Sequence, residues 1–193
     1  MTENCSQEKR CPWCGNDPLY QQYHDEIWGK PRWGSQDLFA KLCLDGQQAG
    51  LSWITILRKE KSYYEAYDNF DPKRIAEYDQ TKIDELLLNS GVIRNKLKVN
   101  SIIKNAREFL EIEKNEGDFS KYLWSFVGAK PIVNSWRTMA DVPAVTPESE
   151  AMSKDLKKRG FTFVGPTICY AFMQAVGMVN DHLVTCPEWS KVS

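Results

Sequence analysis

The stretch NSGVIRNKLKVNSIIKNAREFL, from Asn89 to Leu110, decides how the chain folds. Val99, Ile102, Ile103, Ala106 and Leu110 recur at three- and four-residue spacing, which lines one buried face of an α-helix and leaves the charged positions between them outside. Just upstream, Leu86, Leu87 and Leu88 belong to a shorter helix that ends near Asn89, so SGVIRNK forms a glycine-containing hairpin between two helices. A helix-hairpin-helix of this kind exposes backbone amides beside a positive helix end, a combination that holds a phosphate without reading base sequence. Gly91, Val92, Arg94 and Lys96 are the candidate contacts. The pattern is weak by itself, because many helical hairpins do no more than turn the chain.

Working outward, the same helical signals recur. Ser35 is placed to cap a helix through Leu38, Phe39, Leu42 and Leu44, and Ser52 to open one running through Ile56 to Tyr63. Asp71 and Pro72 read as a cap and first helical residue, and Thr81 with Asp84 as a capping box. Thr146 and Pro147 open a helix that Gly160 terminates, and Pro166 starts an apolar one ending near Gly177. Residues 127 to 147, with Pro131, Pro143 and Pro147, make a long connection, either loop or short helix, to which no function is assigned. No stretch alternates as a hairpin sheet would, so the expected class is all-α. At 193 residues the chain reads as a single domain over 1–193, with room for two helical lobes.

A net charge of -1 provides no global attraction for phosphate, which counts against a coating or packaging protein and makes any DNA contact local. Basic clusters occur at Arg58, Lys59 and Lys61, at Arg94, Lys96 and Lys98, and at Lys154, Lys157, Lys158 and Arg159, but such runs are usually solvated helix faces. The first fifteen residues hold no apolar stretch for export, and the longest apolar run, Ile168 to Val179, is too short to span a bilayer. The expected setting is cytoplasmic, without a membrane partner. There the six cysteines are reduced thiols or metal ligands rather than disulfides.

The two histidines each lie near cysteines: Cys11 and Cys14 precede His24, and His182 precedes Cys186 by four positions. That last spacing puts a nitrogen and a sulfur on one side of a helical turn, as a tetrahedral zinc site requires. Five candidates, Cys11, Cys14, His24, His182 and Cys186, compete for four positions, and spacing does not choose between Cys11 and Cys14. A shared ion would clasp the two ends of the chain together. Trp13, Tyr20, Tyr23, Trp28 and Trp53 crowd the first third, interleaved with Asp45, Gln47 and Gln48. Flat rings beside hydrogen-bonding groups suit an extruded, positively charged nucleobase, although large aromatics are more often plain core.

Longer segments carry a resemblance. NDPLYQQYHDEIWG (Asn16 to Gly29), LDGQQAGLSWITIL (Leu44 to Leu57), GVIRNKLK (Gly91 to Lys98), LWSFV (Leu123 to Val127) and SKDLKKRGFTFVGPTICYAFMQAVGMVNDH (Ser153 to His182) resemble the 3-methyladenine DNA glycosylase I family from about Cys11 to Cys186. The resemblance implies a helix-hairpin-helix glycosylase fold with one structural zinc ion on Cys11, His24, His182 and Cys186, joining the N- and C-terminal segments and leaving Cys5 and Cys14 as spare thiols. It implies base recognition by Tyr23, Trp53 and the carboxylate of Asp45; Trp28 and Tyr20, from the aromatic set above, are further base-binding candidates. The partner implied is alkylated double-stranded DNA, and free 3-methyladenine is the product.

One position departs from that family, which usually carries glutamate where this chain has Asp45, so the carboxylate reaches one methylene less far. The mechanism implied is light on chemistry. An N3-methylated adenine is already cationic in DNA and leaves as a neutral base, so extrusion, orientation and desolvation do most of the work, with water attacking the sugar. Asp45 is then both the recognition group and the catalytic candidate. Asp118 lies where related glycosylases place a catalytic aspartate, but after Gly117 it reads as a solvated loop carboxylate. With no lysine placed as a Schiff-base nucleophile, a monofunctional, monomeric glycosylase is expected. Gly50 and Leu51 are candidates to fill the gap left in the duplex, with Leu51 equally readable as core. The rival readings are a catalytically weak, zinc-stabilised DNA-damage-binding module and a glycosylase directed mainly at 3-methylguanine.

Overall fold

The structure is a computed structural model that describes residues 9–191, so Cys5 lies outside the described residues. Ten α-helices make up most of it: α1 (Pro18–Glu26), α2 (Ser35–Gln47), α3 (Trp53–Leu57), α4 (Glu60–Ala66), α5 (Pro72–Ala76), α6 (Gln80–Leu88), α7 (Lys96–Glu116), α8 (Phe119–Ser125), α9 (Pro147–Arg159) and α10 (Pro166–Ala175). The chain is thus mostly helical, as expected. The exception is a two-residue parallel pair, β1 (Ile132–Val133) with β2 (Val179–Asn180), in register Ile132 to Val179. This pair corrects the reading of 127 to 147 as loop or short helix, since it pins that connection to the segment after α10.

Helix α2 is the hub. Ten consecutive residues, Leu38 to Gln47, are buried, and the helix touches α7, α10, α8 and α3. A helix enclosed on all sides has no polar face to spare for solvent, so any ionisable residue along it must find its partner inside. α7 lies across α5, α2, α8 and α6, presenting Val99, Ile102, Ile103, Ala106 and Phe109 to the core, with Leu110 only partly buried. α9 and α10 form a second packed pair.

Several helix starts sit where the sequence places them. Asp71 accepts from the Lys73 N–H ahead of Pro72, Thr146 and Ser149 exchange the two bonds of a capping box, and Gly160 ends α9 in the left-handed region. Others move. Ser35 is the first helical residue, with Gly34 as its cap, and its hydroxyl instead donates to Asp118. Asp79, not Thr81, caps α6 by accepting from the Lys82 N–H. The helix expected from Ser52 through Tyr63 breaks at Arg58 and Lys59, where the Lys59 N–H bonds the Ile56 carbonyl at 2.8 Å. The break sends Arg58 to Asp17 and the Lys59 ammonium to the Ser90 carbonyl.

Candidate base pocket and metal centre

α1, α2, α3, α10 and the connection before α9 converge on a cavity of about 340 Å³. Its walls include Trp13, Tyr20, Tyr23, Trp28 and Trp53, its α10 side Thr167, Tyr170 and Gln174, and its cover Met139, Val142 and Pro143. The rings are in contact: Tyr23 and Trp53 have centroids 5.5 Å apart, Trp13 and Tyr20 5.0 Å, and Trp13 and Trp28 4.9 Å. Every ring of the expected set therefore lines one space, and the residues 139 to 144, to which the sequence assigned nothing, cover it. No periodicity or motif marks that cover; only the fold over β1 brings it there.

Asp45 is 3% exposed and lines the cavity. One oxygen, Oδ1, takes a very short hydrogen bond from the Lys41 ammonium one helical turn earlier, and Oδ2 has no partner among the described residues. Lys41, also buried, lies 3.8 Å above the centroid of the Trp53 ring. Burial pushes the Asp45 carboxyl up while Lys41 pulls it back, and burial pushes Lys41 down while Asp45 pulls it back. Sequence reading missed this lysine, though a signal was present: a Lys and an Asp four apart in the otherwise apolar run LFAKLCLDG. Gln48 lines the cavity, whereas Gln47 does not; its amide accepts from the Tyr63 hydroxyl and donates to the Lys98 carbonyl.

The candidate DNA contacts divide. Gly50 has φ of 73°, and Leu51, 41% exposed, stands in the turn between α2 and α3 beside a smaller concavity that shares Asp45 and Gln48 with the main one. The Lys98 ammonium donates to the Gln47 and Ala49 carbonyls at 2.7 Å each, bracing that turn against α7. Arg94 and Lys96 are exposed in the hairpin, but the Val92 side chain is core, which corrects its place among the contacts. Hairpin amides are also largely spent, those of Gly91 and Val92 on Asn89 and that of Ile93 on the Tyr63 hydroxyl. Asp118 caps α8, accepting from the Ser120 and Lys121 N–H groups, away from the cavity lining.

Behind the cavity, Cys11, His24, His182 and Cys186 bring one ligand atom each within 4.8 Å of one another, all buried. Cys186 Sγ lies 3.6 Å from His24 Nε2 and 3.6 Å from His182 Nδ1, and Cys11 Sγ 3.7 Å from His182 Nδ1. A tetrahedral ion bound at about 2.0–2.3 Å requires ligand edges of about 3.3–3.8 Å, so the set has the size to hold a metal. The outer nitrogens are spoken for as well: His24 Nδ1 lies 2.8 Å from Asp25 Oδ1 and His182 Nε2 3.3 Å from the Trp28 carbonyl, which fixes both rings. Gly29 makes room for this, because a Cβ there would meet His182 Nε2 at 2.8 Å. Cys14 is excluded, its thiol turned to the Cys11 carbonyl at 3.2 Å. The spacing argument named the right pair but the wrong local structure, since 182–186 is a turn, with the Cys186 N–H on the Leu183 carbonyl, rather than a helix. Next to it Asp181 accepts from Asn134, Trp136, Tyr170 and Gln174, knotting the connection, α10 and β2 together.

This arrangement of rings, carboxylate and thiol–imidazole cluster occurs in a sequence that matches the methyladenine glycosylase family over residues 13–189. The chain belongs to that family. It is 54% identical over 178 residues to the DNA-3-methyladenine glycosylase of Haemophilus influenzae, covering 92% of this chain and 96% of the relative. Among solved structures it is similar to a 3-methyladenine DNA glycosylase I at 49% identity and a TM-score of 0.91, covering 93% of this chain and 98% of the other. A variant of 3-methyladenine DNA glycosylase I in complex with 3-methyladenine matches at 38% identity and a TM-score of 0.89, covering 92% and 95%.

Proposed function

We propose that this methyladenine glycosylase family member excises 3-methyladenine from alkylated double-stranded DNA, holding the extruded base in the ring-walled cavity against Asp45. The observation that carries the reading is the unpartnered Asp45 Oδ2 at a cavity whose walls include the rings of Trp13, Tyr20, Tyr23, Trp28 and Trp53. A buried acceptor without a donor costs roughly 1–3 kcal/mol, and the exocyclic amine of an adenine supplies a donor. Tyr23 and Trp53, with Tyr20 and Trp28 around them, offer π faces to a purine that is cationic while still attached to DNA.

Asp45 then both recognises the base and offsets its positive charge as the bond to the sugar breaks; the base leaves neutral, and water takes its place. An abasic site remains. Among the described residues the one lysine lining the cavity, Lys41, is committed to Asp45, which supports a monofunctional rather than a Schiff-base enzyme. Leu51 and Gly50, beside the cavity mouth, occupy the vacated stack. The exposed Arg94 and Lys96 and the α6–α7 hairpin around Gly91, read as a helix-hairpin-helix, steady the backbone.

Cys11, His24, His182 and Cys186 hold zinc, as two thiolates and two imidazoles at tetrahedral spacing favour. Bound there, zinc supplies folding energy by clasping the ends of the chain, and no chemical step passes through it. The five described cysteines are free, in keeping with a reducing, cytoplasmic setting, and among the described residues no helix is long and apolar enough to cross a membrane. A single-domain monomer is the simplest acting unit. Incubation with methylated duplex DNA and chromatography of the released bases tests the reading. Free 3-methyladenine without a borohydride-trapped adduct is expected; binding without base release would favour the damage-binding module instead.

A further inference from the structure

We infer that Lys41 is a positioning residue of the base pocket: by holding one oxygen of Asp45 it keeps the carboxylate ionised and leaves the other oxygen free to accept from the base. The inference rests on the reading of the cavity as the base site. Lys41 and Asp45 are four residues apart on α2, with side chains 4% and 3% exposed, among Leu38, Leu42 and Leu44. Packing alone gives no reason for an ammonium in the middle of an enclosed helix, where an apolar side chain of similar length would fill the same space without the cost of desolvating a charge. The ammonium is held by Asp45 on one side and the Trp53 ring face on the other. Both of its partners line the cavity.

A carboxylate enclosed this far takes up a proton unless a cation stays beside it. A protonated Asp45 is no longer the anion that offsets a cationic base. The other groups around the pair do not supply that cation by contact. From α1, Tyr23 is pushed well above its usual range by burial and stays neutral. From α10, burial pushes the Cys169 thiol up to about 12, and Tyr170 is hydrogen-bonded to Asp181, which itself accepts from four donors. From α4, Glu60 is itself pushed up by burial and acts through space on Lys41, favouring its charged form. Arg32, ahead of α2, acts on Asp45 only through space. Among the described residues Lys41 alone hydrogen-bonds the carboxylate, and in doing so turns a two-oxygen acceptor into a single directed one.

The test is kcat/KM for 3-methyladenine release from methylated duplex, measured from about pH 5.5 to pH 8.5, because that parameter reports the free enzyme's titrations. The lesion's charge in DNA is fixed, so the substrate contributes no titration of its own. The wild-type protein is expected to hold its activity down the acid side. Lys41→Met, and Lys41→Gln as a second uncharged variant, are expected to acquire an acid limb that falls about tenfold per pH unit below the displaced pKa. Lys41→Arg is expected to restore the wild-type profile. Uncharged variants whose profile runs parallel to wild type, at full activity or uniformly reduced, would overturn the inference and leave Lys41 a packing residue. Asp45→Asn separates the two readings: if it excises as wild type does, the base-pocket assignment itself falls, whatever Lys41 does.

Discussion

Asp45, at the cavity wall, carries two unlike oxygens on one carboxylate, Oδ1 committed to Lys41 and Oδ2 buried without a partner among the described residues. Replacing it with asparagine would turn the amide oxygen to Lys41 and present an amide N–H where the base also presents a donor. We predict that Asp45→Asn weakens binding of free 3-methyladenine by about tenfold to a hundredfold, the equivalent of about 1.4–2.8 kcal/mol, read by isothermal titration calorimetry; unchanged affinity would remove Asp45 from the site. The carboxylate and the rings Tyr23 and Trp53 could be read from the sequence because residue type and neighbourhood carry their chemistry. Lys41 could not be read so easily, because whether a helical lysine faces solvent or interior depends on how many sides of its helix are covered, and that is decided by α7 and α10 together.

Among the elements, helices declared by caps and period survived intact, such as α5 behind Asp71 and Pro72, α9 between Thr146 and Gly160, and α7. Where several acceptors compete, local signals mislead. Ser35 is diverted to Asp118, Asp79 outcompetes Thr81, and the 182–186 turn takes the chain back across Cys11 instead of winding into a helix. The turn between α2 and α3 carries a prediction of its own. Leu51 is 41% exposed, so truncation removes little buried area from the folded protein. Leu51→Ala should weaken binding to lesion-containing duplex severalfold while shifting the melting temperature by no more than about 2 °C, measured by fluorescence anisotropy and by differential scanning calorimetry. A large drop in melting temperature would make Leu51 core after all.

Over the whole molecule, residues near both ends of the chain meet at Cys11, His24, His182 and Cys186, and that cluster shares a wall with the pocket through Trp28: its carbonyl lies by His182 Nε2 and its ring, 4.7 Å from the imidazole, lines the cavity. The sequence shows the two half-sites but not that they share a wall with the rings, since that juxtaposition needs the return of the chain through β2 beside Gly29. Stripping the metal with a chelator, or replacing Cys186 with serine, should therefore lower the melting temperature by about 10 °C or more, and readdition of zinc should restore it in the wild type only. An unchanged melting curve on chelation would end the clasp reading. The account as a whole stands on the cavity being where the lesion sits. A crystal structure with 3-methyladenine tests this most directly: the account predicts the purine among Tyr20, Tyr23, Trp28 and Trp53 with its exocyclic amine donating to Asp45 Oδ2, and a base bound elsewhere, or seated there with Asp45 turned away, would contradict it.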